Sequence, residues 1–161
     1  MRIRYALALM AMLALVPNAI ASTGYSTVLS GANEVPAVAS AGTGTATVIL
    51  NNAGNQLSYT ITYSGLVLTG SGVTASHIHK AAAGTNGPVL FPFTPPLGTR
   101  SGTFSGTIAV TAANVADLNA GLYYVNIHSS SFPGGELRGQ LGADVTPVGS
   151  TTWGRIKSLY R

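Results

Sequence analysis

Cysteine is absent from the 161 residues, which excludes a disulfide framework and any thiolate metal site, whatever the redox state of the compartment. Charge is almost as scarce, at 7% of the chain. The formal net charge of +4 sits at the ends, because Arg2 and Arg4 open the chain and Arg155, Lys157 and Arg161 crowd its last seven residues. Between Ser22 and Gly149 only Lys80, Arg100 and Arg138 stand against Glu34, Asp117, Glu136 and Asp144. A body so nearly neutral lacks the basic surface that phosphate recognition needs, so nucleic acid is not expected as a partner. Acidic neighbours for the histidines are also few. Glu136 is the one carboxylate close to a histidine in sequence, so no nucleophilic or carboxylate-pair catalytic set is nominated. Beyond the N-terminus no segment approaches the roughly 18 apolar residues of a membrane-spanning helix.

What is present begins with the outline of a secretory signal peptide over residues 1–21. Arg2 and Arg4 precede the apolar run "YALALMAMLALV" and the small-residue stretch "NAIAS", and cleavage is expected between Ala21 and Ser22. The mature chain is then expected to be exported, whether secreted, periplasmic or at the cell surface, with no transmembrane segment. Some 140 residues suffice for one domain with its own core, placed here over 22–145. The rest, 146–161, reads as a linker and a basic, aromatic tail. Trp153, Ile156 and Tyr160 fall at i, i+3 and i+7, yet a dozen residues rarely hold a helix alone in water. A weakly packed tail able to touch a surface is expected.

Period-two alternation punctuated by glycine, asparagine and proline runs through the body and predicts strands. "GYSTVLSG", "GTGTATVIL", "QLSYTITYS", "VTASHIH", "VLFPF", "GTFSGTIAV", "LYYVNIH" and "GELRGQLG" are the segments, with "NNAGN" as a hairpin connection. In "QLSYTITYS", Leu57, Tyr59, Ile61 and Tyr63 alternate with Ser58, Thr60, Thr62 and Ser64, giving one core face and one wet face. "TAANVADLNAG" is the exception: Thr111 can cap a short helix that turns Val115 and Leu118 inward before Gly121 ends it. The fold class expected is all-β, an antiparallel Greek-key sandwich or barrel, immunoglobulin-like or superoxide-dismutase-like, with one short helix.

Strand parity then places the chain's three histidines. His77 and His79 flank Ile78, so they leave the same face about 7 Å apart along the strand. Asn126 and His128 lie opposite Tyr123, Val125 and Ile127, and Glu136 and Arg138 lie opposite Leu137. With the aliphatic faces inward, His77, His79, Asn126, His128, Glu136 and Arg138 share the outer face, and they converge if these strands are neighbours. Imidazole is the commonest metal-ligating side chain, so His77, His79 and His128 are the candidate metal ligands. Glu34, Glu136, Arg138 and Asn126 are candidates for a further ligand or for support. Glu136 could ligate, accept from an imidazole N–H, or pair with Arg138; Glu34 could reach the site from a loop.

"LSGANEVPAV", "SHIHKAAAGTNGPV" and "YYVNIHSSSFPGGELRGQL" resemble, in the same order, the CHRD domain, the chordin-type module also found singly in exported microbial proteins. The resemblance covers about residues 24–142. It implies an extracellular β-sandwich whose pattern includes the positions of Glu34, His77, His79, His128, Glu136 and Arg138, and it implies no particular activity. A looser resemblance, to copper-zinc superoxide dismutases, rests on the outward His-x-His pair. The departures are a missing cysteine pair, zinc loop and bridging histidine, and one imidazole too few for their copper site.

With no thiolate, three imidazoles and an oxygen ligand suit copper first and zinc second. The expected function is an exported domain binding that metal. The alternative is a metal-free envelope or matrix interaction module that meets a protein or surface partner, and a third reading is a dismutase-like redox enzyme.

Overall fold

Apolar residues at every second position form strands because successive side chains leave opposite faces of the pleat. The computed structural model describes residues 22–67, 70 and 72–144; the signal peptide expected over 1–21 and the tail expected over 146–161 lie outside them. Nine strands and one α-helix follow in order: β1 (Thr23–Ser30), β2 (Thr43–Leu50), β3 (Gln56–Ser64), β4 (Val73–Lys80), β5 (Val89–Pro92), β6 (Gly102–Ala109), α1 (Ala112–Asn119), β7 (Tyr123–Ser129), β8 (Leu137–Gln140) and β9 (Gly142–Ala143). All eight segments read as strands are strands. The helix forms as its sequence requires: the Thr111 side chain accepts from the Asn114 N–H in a capping box, Leu118 is buried, and Gly121 follows at φ +69°.

The strands pair in the order β5-β4-β7-β8-β1-β2-β3-β6, with β9 beside β1, and every pairing is antiparallel. The sheet curls into a nearly closed barrel. Phe93, just after β5, packs on Tyr59 of β3 and Phe104 of β6 at ring separations of 4.3 and 6.0 Å, which brings the two ends of the sheet together. Tyr25, Leu29, Val48, Ile61, Ile78, Val125, Ile127 and Leu137 fill the interior. Each such side chain contributes roughly 1.5–3 kcal/mol by leaving water.

The two halves of the sheet treat their outer faces differently. On β3 the alternation is as read, with Ser58, Thr60, Thr62 and Ser64 exposed. On β7 and β8 it fails, since Asn126 and Arg138 are buried although they face away from the core. The segments around residues 31–38, 81–88 and 130–136 fold over that face. It is a second, polar interior rather than a wet surface, and that corrects the expectation for Asn126, Glu136 and Arg138.

Candidate metal centre

β4 and β7 are neighbours, and their register fixes the site. Ala75 faces His128, His77 faces Asn126 and His79 faces Tyr124; facing residues share one side of a sheet. His128 is thus diagonal to His77, two residues from which stands His79. The ring centroids lie 5.5 Å (His77 to His79), 5.0 Å (His77 to His128) and 6.1 Å (His79 to His128) apart. One nitrogen from each ring falls within 4.8 Å of the other two. Two strands that meet only through the fold bring all three histidines of the chain to one point.

Backbone carbonyls set the state of two of the rings. His79 Nδ1 lies 3.0 Å from the Gly87 carbonyl and His128 Nδ1 lies 2.9 Å from the Pro133 carbonyl. A carbonyl only accepts, so each Nδ1 carries the hydrogen and each Nε2 keeps a lone pair. Those two Nε2 atoms, together with His77 Nδ1, are buried without a hydrogen-bond partner. Burial holds all three imidazoles below the ordinary histidine pKa; for His77 the charges that neighbouring histidines would carry add to this, and for His79 those of His128 and Arg138. Two rings whose Nε2 lone pairs are fixed, with a third imidazole whose Nδ1 is buried without a partner, form a cluster that suits a cation, and carbonyls behind imidazoles are the usual means of orienting ligands.

Tyr124 is the supporting residue that the sequence reading missed, although its parity with Asn126 and His128 was available. Its ring stacks on His79 at 4.9 Å and 7°, and the Arg138 guanidinium carbon lies 3.6 Å from its centroid. Its hydroxyl accepts from the Gly87 N–H at 3.1 Å, tying it to the residue whose carbonyl orients His79. The loop 81–88 is held in turn by Arg138, which donates to Asn86 Oδ1 at 2.8 Å and to the Thr85 carbonyl at 2.6 Å.

The other nominated residues divide. Asn126 joins the histidine face and donates to Glu34 Oε2 across 3.4 Å, so Glu34 does reach the site from its loop, one residue removed from the histidines. Gly135, at φ +136°, makes room: a Cβ there would lie 2.7 Å from Glu34 Oε1. Glu136 does not join. It is fully buried, and its Oε1 accepts instead from Ser40 Oγ and the Val67 N–H, both at 2.7 Å. Of the three roles open to Glu136, accepting from an imidazole and pairing with Arg138 are not seen, since neither a histidine nor Arg138 is its partner, and it does not stand in the histidine cluster where it could ligate. Glu136 stands just before β8, on the far side of the Gly134-Gly135 turn, where strand parity does not yet apply.

Burial pushes the Glu34 carboxyl up to about 7, against the lowering effects of Asn126 and Arg138. A raised carboxyl contributes its full stability below its unfolded value and loses it as pH rises through the folded one. Glu34→Gln is therefore expected to stabilise the metal-free protein at pH 8.5 by about 1 kcal/mol, a figure reduced because water still reaches part of the carboxyl. At pH 4.5 it should change little. Urea unfolding at both pH values checks this, and equal effects at the two would contradict it.

The family model described as CHRD domain matches residues 25–141. No curated protein and no solved structure matches the chain.

Proposed function

The chain belongs to the CHRD domain family, and from that premise we propose that it is an exported domain binding one metal ion, copper first and zinc second, through His77, His79 and His128. The observation that carries this reading is the set of three buried, partner-free imidazole nitrogens on two adjacent strands. Leaving such atoms unpaired costs roughly 1–3 kcal/mol each, and a cation relieves all three at once. Nitrogens bound to one ion at about 2.0–2.1 Å lie roughly 3–4 Å apart, so small ring rotations suffice from the present spacing.

Copper leads because all-nitrogen sites without thiolate follow the Irving–Williams order, and zinc follows because it accepts the same ligands. Three protein ligands leave a coordination position for water or an oxygen donor. The metal-free interaction module is less well supported, since a recognition face needs exposed groups and His79 is buried beneath its loop. Titrating metal-stripped residues 22–161 with Cu(II) and Zn(II) in a calorimeter tests the reading. One-to-one binding is expected, weakened at least a hundredfold in His77→Ala, His79→Ala and His128→Ala while far-ultraviolet circular dichroism stays unchanged. Binding indifferent to His128 would defeat a shared site.

A further inference from the structure

We propose that β6 pairs with β6 of a second copy of this chain, antiparallel about a two-fold axis through Ser105, so that one sheet runs through both copies. The sheet ends at β5 and β6, which do not pair with each other; Phe93 joins those ends through side chains alone. The free edge of an end strand presents N–H and C=O groups that can template another chain, and proteins blunt it with proline, charge, brevity or a bulge. β5 is blunted: it is four residues long, it ends in Pro92, and its register with β4 shifts between Ile78 and His79. β6 is not, for it runs eight residues from Gly102 to Ala109 without proline or charge and in unbroken register with β3. It belongs to the half of the sheet away from β4 and β7, so the inference stands apart from the metal reading.

The phase of the β3–β6 ladder identifies the unpaired groups. The Val110 N–H donates to the Asn55 carbonyl at 2.9 Å, one step beyond the pairing of Gln56 with Ala109, and hydrogen-bonded pairs alternate along an antiparallel ladder. Phe104, Gly106 and Ile108 therefore bond to β3. Thr103, Ser105, Thr107 and Ala109 turn N–H and C=O away from it, and their side chains are exposed. The Thr62 and Thr103 hydroxyls, 2.9 Å apart, fit this phase, because side chains approach most closely where the facing residues are not hydrogen-bonded. Among the described residues nothing meets those outward backbone groups.

The strand's own sequence selects a second copy. With Ser105 on the axis, Ser105 faces its counterpart and Thr103 of one copy faces Thr107 of the other, so the outward groups of each strand meet the outward groups of its mate. The same register sets hydroxyls beside hydroxyls on the exposed face, a pairing that favours strand association. On the opposite face Phe104 meets Gly106 and Ile108 meets Gly102, so each large side chain lies beside a glycine and no two bulky ones collide. Charge raises no barrier either. β2, β3 and β6 contain no charged residue, and two copies approach there without the repulsion that edge lysines impose.

Sedimentation velocity of residues 22–161 over a range of concentrations, with chelator present to prevent bridging by metal, tests the pairing. A monomer–dimer equilibrium is expected with a Kd on the order of 10 μM, since one strand edge makes a small interface. Ser105→Lys sets two ammonium groups opposite each other on the axis, and Ser105→Glu two carboxylates. Each should weaken the dimer roughly tenfold or more and leave the melting temperature of the monomer unchanged, because Ser105 is exposed. Mixed in equal amounts, the two variants should associate roughly tenfold more tightly than either alone, because opposite charges then meet across the axis. That rescue requires two copies in this register. A monomer at every concentration up to about 0.5 mM, a dimer that Ser105→Lys leaves intact, or variants that stay apart when mixed would each overturn the proposal.

Discussion

Acidifying the copper-loaded protein from pH 8 to pH 5 is expected to weaken binding by roughly two to three orders of magnitude, because each protonated imidazole is a lost ligand. An ordinary histidine loses roughly thirtyfold in its neutral fraction over that interval. Burial lowers all three here, so each ring contributes less than that and the release falls toward the acid end of the range. Stability of the metal-free protein follows the same groups with a definite sign. A histidine lowered in the folded state takes up its proton first in the unfolded chain, so stability falls as pH drops below the unfolded value near 6.5. Glu34 acts oppositely, losing stability as pH rises through about 7. Competition titrations with a copper indicator across the interval measure the release, and affinity independent of pH would exclude imidazole ligands.

The second large effect is expected at Tyr124. Truncation by Tyr124→Ala removes a buried ring that touches both His79 and Arg138, and by analogy with other large aromatic truncations it should cost about 3–5 kcal/mol. The loss should reach the metal site too, since His79 would lose the surface it lies on and the loop bearing Gly87 would lose the hydroxyl that accepts its N–H. Tyr124→Phe keeps the stack and removes the hydroxyl's two hydrogen bonds with Gly87, one accepted from its N–H at 3.1 Å and one donated to its carbonyl at 3.5 Å, so it should cost about 1 kcal/mol and leave copper affinity within a few fold. Urea unfolding and copper titration of both variants separate the ring's role from the hydroxyl's. Comparable losses in the two would mean that the hydroxyl, not the stack, supports the site.

The residues most legible from sequence were those inside regular strands. Ile78 between His77 and His79, and Val125 and Ile127 around Asn126, fixed which side chains turn outward, and the register of β4 on β7 bears this out. Adjacency was not legible. β4 meets β7 across some fifty residues of chain, and nothing in either segment names its neighbour. Coverage was not legible either, because the loops that bury Asn126 and Arg138 do so through contacts such as those of Asn86 and Thr85 with Arg138, which follow no periodic pattern. Glu136 shows where parity stops: it stands one residue before its ladder begins, and the segments carrying Ser40 and Val67 capture it.

The polar interior also gives a physical reason for so sparse a charge content. Arg138 and Glu34, buried and among the few charges of the body, both lie against the histidine face or a cavity beside it. Lys80 and Asp117 form a pair at 2.5 Å near the surface, and exposed pairs of that kind contribute little.

X-ray absorption at the copper edge of the one-to-one complex tests the central claim most directly. The account predicts three imidazole nitrogens at about 2.0 Å, falling to two in His128→Ala if that variant still holds the ion. A first shell made mainly of oxygen, or one unchanged by removing His128, would contradict it.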